Sequence, residues 1–329
     1  MNKSENDTWS IEISDNVNCD ECLKNFIRQF IKMCIELLTP EIRNDNPNII
    51  IRIANYEGIC NARQMSNVIE IDIKFIVISW KYIKSVFSLY QGDKKIDIKE
   101  AVITAKQVSN DIKKSNYCRI EYENTIKEIK RIFYNTCSAC TSEEYAYKQE
   151  ALNILMYSLC LNILHEIGHM IHEKFDYALA LGIANKEHAE EINADYYAVC
   201  NIVKLPLGVM KEQELQTDER LEEVYRYVAL LNTYNYICFV SFAAGGSTKR
   251  HPNPVDRIRY MDKAFIECLD KKAKALVDTN EVKNMCNDFR GAHAIIACTL
   301  FIDKQENETS VEFYEKVLTC LHSLFDKRD

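Results

Sequence analysis

The sequence predicts an α+β protein that is mainly helical, with a small N-terminal antiparallel sheet. Three observations predict it. There are only 8 Gly and 5 Pro in 329 residues, too few turn-formers for many short strands and enough for long helices joined by a modest number of loops. Apolar residues recur at helical spacing over most of the chain from about Val77 onward. One short stretch breaks that rule, with Ile69, Ile71 and Ile73 alternating with Glu70, Asp72 and Lys74 in the period of two that a half-buried strand requires.

Taken in chain order, residues 18–38 place Leu23, Phe26, Ile27, Phe30, Ile31 and Cys34 on one stripe, which predicts an amphipathic helix stopped near Pro40. The runs Asn48 to Ile53 and Asn67 to Ile73 read as strands of an antiparallel sheet, the second a candidate edge strand for an extended peptide. Beyond them the helical pattern breaks near Gln91-Gly92, Ser138 to Thr141, Leu205 to Gly208, Ala243 to Thr248 and Val282 to Gly291. No linker or internal repeat stands out. Two organisations stay open: an α/β lobe over 1–95 and a helical lobe over 96–329, or one continuous domain.

Composition limits the function classes. Hydrophobic residues at 47% and charged residues at 27% give the balance of a folded globular chain. A net charge of -8 argues against a phosphate-binding surface, so nucleic acid is not an expected partner. The first ten residues are polar and acidic, without the apolar core of a signal peptide. No run reaches the roughly 20 apolar residues of a membrane span. A cytosolic protein is expected. Fourteen cysteines are expected to be reduced, because Cys160, Cys200, Cys238, Cys268 and Cys298 sit in helical patterns beside apolar neighbours. The pairs Cys19/Cys22 and Cys137/Cys140 have zinc-ligand spacing, but they are far apart in sequence and the first lies inside a helical pattern.

The chemistry concentrates at His165-Glu166-Ile167-Gly168-His169. The surrounding segment, Ala151 to Ile171, is apolar nearly all round, as in a buried helix. Histidines at i and i+4 stand one turn apart on one face, so both imidazoles can reach one ion at roughly 2.0 to 2.1 Å. A buried glutamate between two buried histidines is costly without a cation nearby. Catalytic zinc takes a third protein donor. His172 is read as structural, since the helix carries it past the ion. The candidate is Glu191, in Glu190-Glu191-Ile192-Asn193-Ala194-Asp195 on a second helix, where Asp195 shares its face and Ala194 and Ala198 keep that face thin. Gly168 thins the first helix likewise. Asp195 is placed behind a histidine ligand, accepting its outer N–H. A plain charged helix face remains the alternative for this second segment.

Together His165 to His169, Glu191 to Asp195 and His251-Pro252-Asn253-Pro254-Val255-Asp256-Arg257 resemble the HExxH, ExxA[DN], HPxxxxR pattern of the gluzincin zinc metallopeptidases. Among soluble forms the chain is most similar to phage-exclusion peptidases of the Lit type and secondly to the ImmA type, over roughly residues 160–260. The resemblance implies a zincin-like fold and one catalytic Zn2+ held by His165, His169 and Glu191. It further implies Glu166 as catalytic base, His251 as a second catalytic group that stabilises the transition state, and a protein substrate, elongation factor Tu among the candidates. A surface role stays open for His251, and for Arg257 the choice lies between pairing with an acidic residue near the site and facing solvent. Two rival readings also stay open: a non-catalytic zincin-like binding module, and a helical protein with a coincidental motif.

Overall fold

The computed structural model describes residues 9–46, 48–55, 62–89, 119–135, 142–171, 177–205, 252 and 254–269, with isolated positions at 271, 274, 275, 316 and 319. The boundary expected near residue 95 lies outside them, as do Cys137, Cys140, His172, Cys238, His251 and Cys298.

The fold is α+β and mainly helical. Strand β1 (Ser10–Ile13) leads into α1 (Glu21–Leu37) and α2 (Pro40–Asp45), followed by β2 (Ile50–Ala54), β3 (Ala62–Met65) and β4 (Val68–Asp72). The described helices after the sheet are α3 (Ile73–Leu89), α4 (Arg119–Phe133), α5 (Ser142–Met170), α6 (Tyr177–Ala180), α7 (Lys186–Ile202) and α8 (Pro254–Cys268).

Helix α1 forms where its stripe predicts. Asp20 caps it, accepting from the Leu23 N–H at 2.8 Å, and Leu23, Phe26, Ile27, Phe30, Ile31, Cys34 and Ile35 are buried. Pro40 acts at the next boundary as well, since it occupies the first turn of α2, where its fixed φ suits a helix start.

The sheet corrects the expected topology. Its order is β1-β2-β4-β3, with β1, β2 and β4 parallel and β3 antiparallel to β4. Parallel pairing of β1 with β2 is possible because α1 and α2 bridge them, a connection long enough to return the chain to the same end. β2 and β4 run parallel because β3 intervenes as the return strand. β3 turns into β4 through Ser66-Asn67, with Ser66 at a φ of 58° and the Asn67 carbonyl accepting from Ile50 N at 2.9 Å. The strand over Asn67 to Ile73 is therefore not at the edge. β4 lies between β2 and β3, which buries Glu70 and Asp72 along with Ile69 and Ile71, and β3 takes the edge. Asp72 ends β4 and opens α3, its Oδ1 accepting from Lys74 N at 2.8 Å.

Helix α5 runs through the core, packed by α1, α3, α4, α7 and β3. This explains why its part from Ala151 onward is apolar nearly all round. It also corrects one expectation, because Lys148–Met170 is long and apolar enough to cross a membrane, although 89% of its most apolar window is buried inside the protein. A second correction concerns the thiols. Cys200 at the end of α7 and Cys268 at the end of α8 form a disulfide, with Cα atoms 5.5 Å apart. They lie 68 residues apart in sequence and meet only because α8 packs on α7. Cys19, Cys22, Cys34 and Cys160 are free thiols.

Candidate metal centre

The site is built where α5 and α7 cross. Gly168 permits the crossing, since a Cβ there would lie 2.8 Å from the Ala194 Cα and 3.2 Å from its Cβ. Asn185 caps α7 by accepting from the N–H groups of Glu187 and His188 at 3.0 and 3.2 Å. Asn193 fixes the incoming chain, because its Oδ1 accepts from Ala178 N at 2.9 Å and so docks α6 on α7. Tyr177 stacks on Tyr196 with ring centroids 4.2 Å apart and donates its hydroxyl to the Tyr260 carbonyl at 3.0 Å, joining α6 to α8. The roles of Asn193, Tyr177 and Tyr260 depend on contacts between separate elements.

These contacts bring His165, His169 and Glu191 together. The two imidazole Nε2 atoms are 3.1 Å apart. Glu191 Oε2 is 3.5 Å from His165 Nε2, and its Oε1 is 3.6 Å from His169 Nε2. Tetrahedral ligands at roughly 2.0 to 2.2 Å from zinc stand about 3.3 to 3.6 Å apart. The two Glu191 distances fall in that range and the 3.1 Å between the Nε2 atoms is somewhat shorter, so the three donors are grouped closely enough, and have the chemistry, to share one such ion.

Behind the donors, Asp195 Oδ1 lies 2.8 Å from His165 Nδ1, which leaves the His165 Nε2 to face the other two donors. Arg257, buried on α8, forks onto the same carboxylate, with Nε 2.5 Å from Oδ2 and an Nη 2.7 Å from Oδ1. This settles the choice left open for Arg257. It does not face solvent. Glu166 is buried, at 7% exposure. Pro252, beside His251, is buried too.

The electrostatics follow from burial and these pairs. Burial opposes the charged form of His165, but the charge and hydrogen bond of Asp195, aided by Glu191, outweigh it and lift the imidazole to about 10. His169 goes the other way, pushed down to about 4 by burial and by the charge on His165. Burial raises Asp195, yet the Arg257 and His165 charges prevail and hold it below the usual carboxylate range.

Gly168→Ala tests the crossing. Alanine would favour the helix by up to about 1 kcal/mol, but its Cβ would meet backbone and force α5 and α7 apart, at a cost of about 1–3 kcal/mol. Net loss of stability is expected in denaturant unfolding of the metal-free protein. A variant as stable as the wild type or more so would mean that the helices do not need this contact.

The fold and site define a mainly helical α+β protein with a candidate His/His/Glu metal centre between two packed helices. The family model of Peptidase U49 matches residues 69–276, more than half of the chain and a span that includes every donor described above. The chain belongs to the Peptidase U49 family and is a peptidase. No curated protein and no solved structure matched it.

Proposed function

We propose that the protein is a zinc-dependent endopeptidase that hydrolyses a peptide bond in a cytosolic protein. The observation that carries this reading is the close grouping of the His165, His169 and Glu191 donors, with Asp195 behind His165. When bound there, zinc would polarise a substrate carbonyl and make water a usable nucleophile near neutral pH. Glu166 follows His165 by one residue, about 100° around α5. Its carboxylate takes the proton of the attacking water and returns it to the leaving amine as the C–N bond breaks. His251 is the further donor for the oxyanion.

Among the described strands β1 and β3 are the edges of the sheet, and β3 packs beside α5, the helix that carries His165, Glu166 and His169, so an extended substrate could add to the sheet there. This supports a protein or peptide substrate without selecting one. A role in phage exclusion, with elongation factor Tu as substrate, rests on resemblance to Lit-type peptidases alone.

Titration calorimetry with zinc tests the metal reading. One equivalent per chain is expected. Imidazoles must be unprotonated to ligate. With His165 lifted to about 10 and His169 pushed to about 4, the metal-free pair carries one proton at pH 7. Zinc uptake should release that proton, so affinity should rise about tenfold per pH unit between about pH 5 and 9. Uptake below a tenth of an equivalent would reject a zinc peptidase.

A further inference from the structure

The three metal donors come from α5 and α7, and α8 supplies none of them among the described residues. Even so, α8 sends one buried side chain to the site. We propose that Arg257 is a positioning residue for metal binding: by forking onto Asp195 it holds that carboxylate where it orients His165. The inference rests on the zinc reading and adds a requirement that the donor set alone does not contain.

The geometry is specific. Asp195 Oδ1 receives both an Nη of Arg257, at 2.7 Å, and the Nδ1 side of His165, at 2.8 Å, while Oδ2 receives Arg257 Nε at 2.5 Å. Two parallel contacts fix the plane of a carboxylate, which a single contact does not. With the plane fixed, Oδ1 stays aimed at Nδ1 and the His165 Nε2 stays free for the ion. The same Nη lies 3.4 Å from Nδ1 and 3.5 Å from Nε2 of His165. Near-equal distances to both nitrogens mean that the guanidinium rests against the ring as a whole, restricting its rotation. The imidazole is thus held by Asp195 at one atom and by Arg257 along its side.

Charge alone predicts the opposite effect. A buried guanidinium 3.8 Å from Glu191 Oε2 is a cation beside the place where another cation must enter. If Arg257 acted only through its charge, removing it would strengthen metal binding. If it acts by positioning, replacing it weakens binding even when the charge is kept. Lysine keeps the charge and loses the fork, so Arg257→Lys separates the two.

The experiment measures zinc affinity at pH 7 by competition with a chromophoric chelator, for wild type, Arg257→Lys, Asp195→Asn and the double variant. Arg257→Lys is expected to bind about 10–100-fold more weakly, the usual loss when support behind a metal ligand is removed. In the Asp195→Asn background the same substitution should have a clearly smaller effect, because the fork is already lost and only the direct contact of Arg257 with the imidazole remains. If Arg257→Lys fails to fold, the pair Asp195→Asn and Asp195→Asn/Arg257→Gln leaves no Asp195 carboxylate orphaned, and the double variant, which lacks the cation beside Glu191, should bind zinc no more weakly than Asp195→Asn. Wild-type affinity in Arg257→Lys, or an undiminished arginine effect in the Asp195→Asn background, would overturn the inference while leaving the zinc reading standing. Wild-type protein that takes up no zinc would overturn both.

Discussion

Glu166→Gln is expected to lower turnover by about 10² to 10⁴, the range associated with losing a general base, while zinc content and the unfolding transition stay those of the wild type. Glutamine matches glutamate in size and still hydrogen-bonds, but it cannot take a proton. Glu166 is buried on α5 directly after His165. It is not among the three grouped donors, so the metal should remain. Single-turnover cleavage of an identified substrate, with metal analysis of the same preparation, checks both halves. A variant as fast as wild type would leave Glu166 a packing residue and favour a binding role for the site.

Glu191→Ala should lose most of its zinc, and Glu190→Ala should keep it. Removing one of three donors leaves two imidazoles, and a loss on the order of 10²-fold or more is expected, beyond the roughly 10–100-fold of substitutions behind the ligands. Glu190 is adjacent in sequence but stands 61% exposed, with its carboxylate 3.8 Å from Lys186 at i−4. Such an exposed pair contributes little. Metal analysis after gel filtration distinguishes the two variants, and the reverse result would move the third donor by one residue.

Much of this architecture was legible because helical spacing is local. The stripe of α1, the buried character of α5 and the i, i+4 histidines are written within a few turns of chain. So is the thin face at Gly168 and Ala194, where α5 and α7 approach too closely for a Cβ on residue 168. The sheet was less legible. Alternation at Ile69, Ile71 and Ile73 marks an apolar face, and it shows neither that Glu70 and Asp72 opposite are buried as well nor the direction of the neighbouring strand. Ala62-Arg63-Gln64-Met65 has no apolar period at all, so the sequence carries no signal for β3, and without that strand β4 reads as an edge. β1, with Ile11 and Ile13 alternating, was hidden in a segment read for its polarity.

Contacts across long separations were the other gap. Arg257 meets Asp195 across 62 residues, and nothing near either position names the partner. Cys200 and Cys268 are alike in this respect, because helical placement beside apolar residues describes a packed thiol and a paired one equally well. Asn193 does carry a signal in the sequence. A polar residue at the half-buried position between Ile192 and Ala194 must satisfy its amide, and it does so at the Ala178 N–H.

The most direct test of zinc-dependent proteolysis is mass spectrometry of new peptide N-termini in a bacterial lysate treated with zinc-loaded wild type or zinc-loaded Glu166→Gln. A small set of cleavage sites produced by the wild type, abolished by chelation and absent with the variant, is the expected result. Identical N-termini in both samples, or sites that persist after zinc is removed, would contradict a peptidase mechanism built on His165, Glu166, His169 and Glu191.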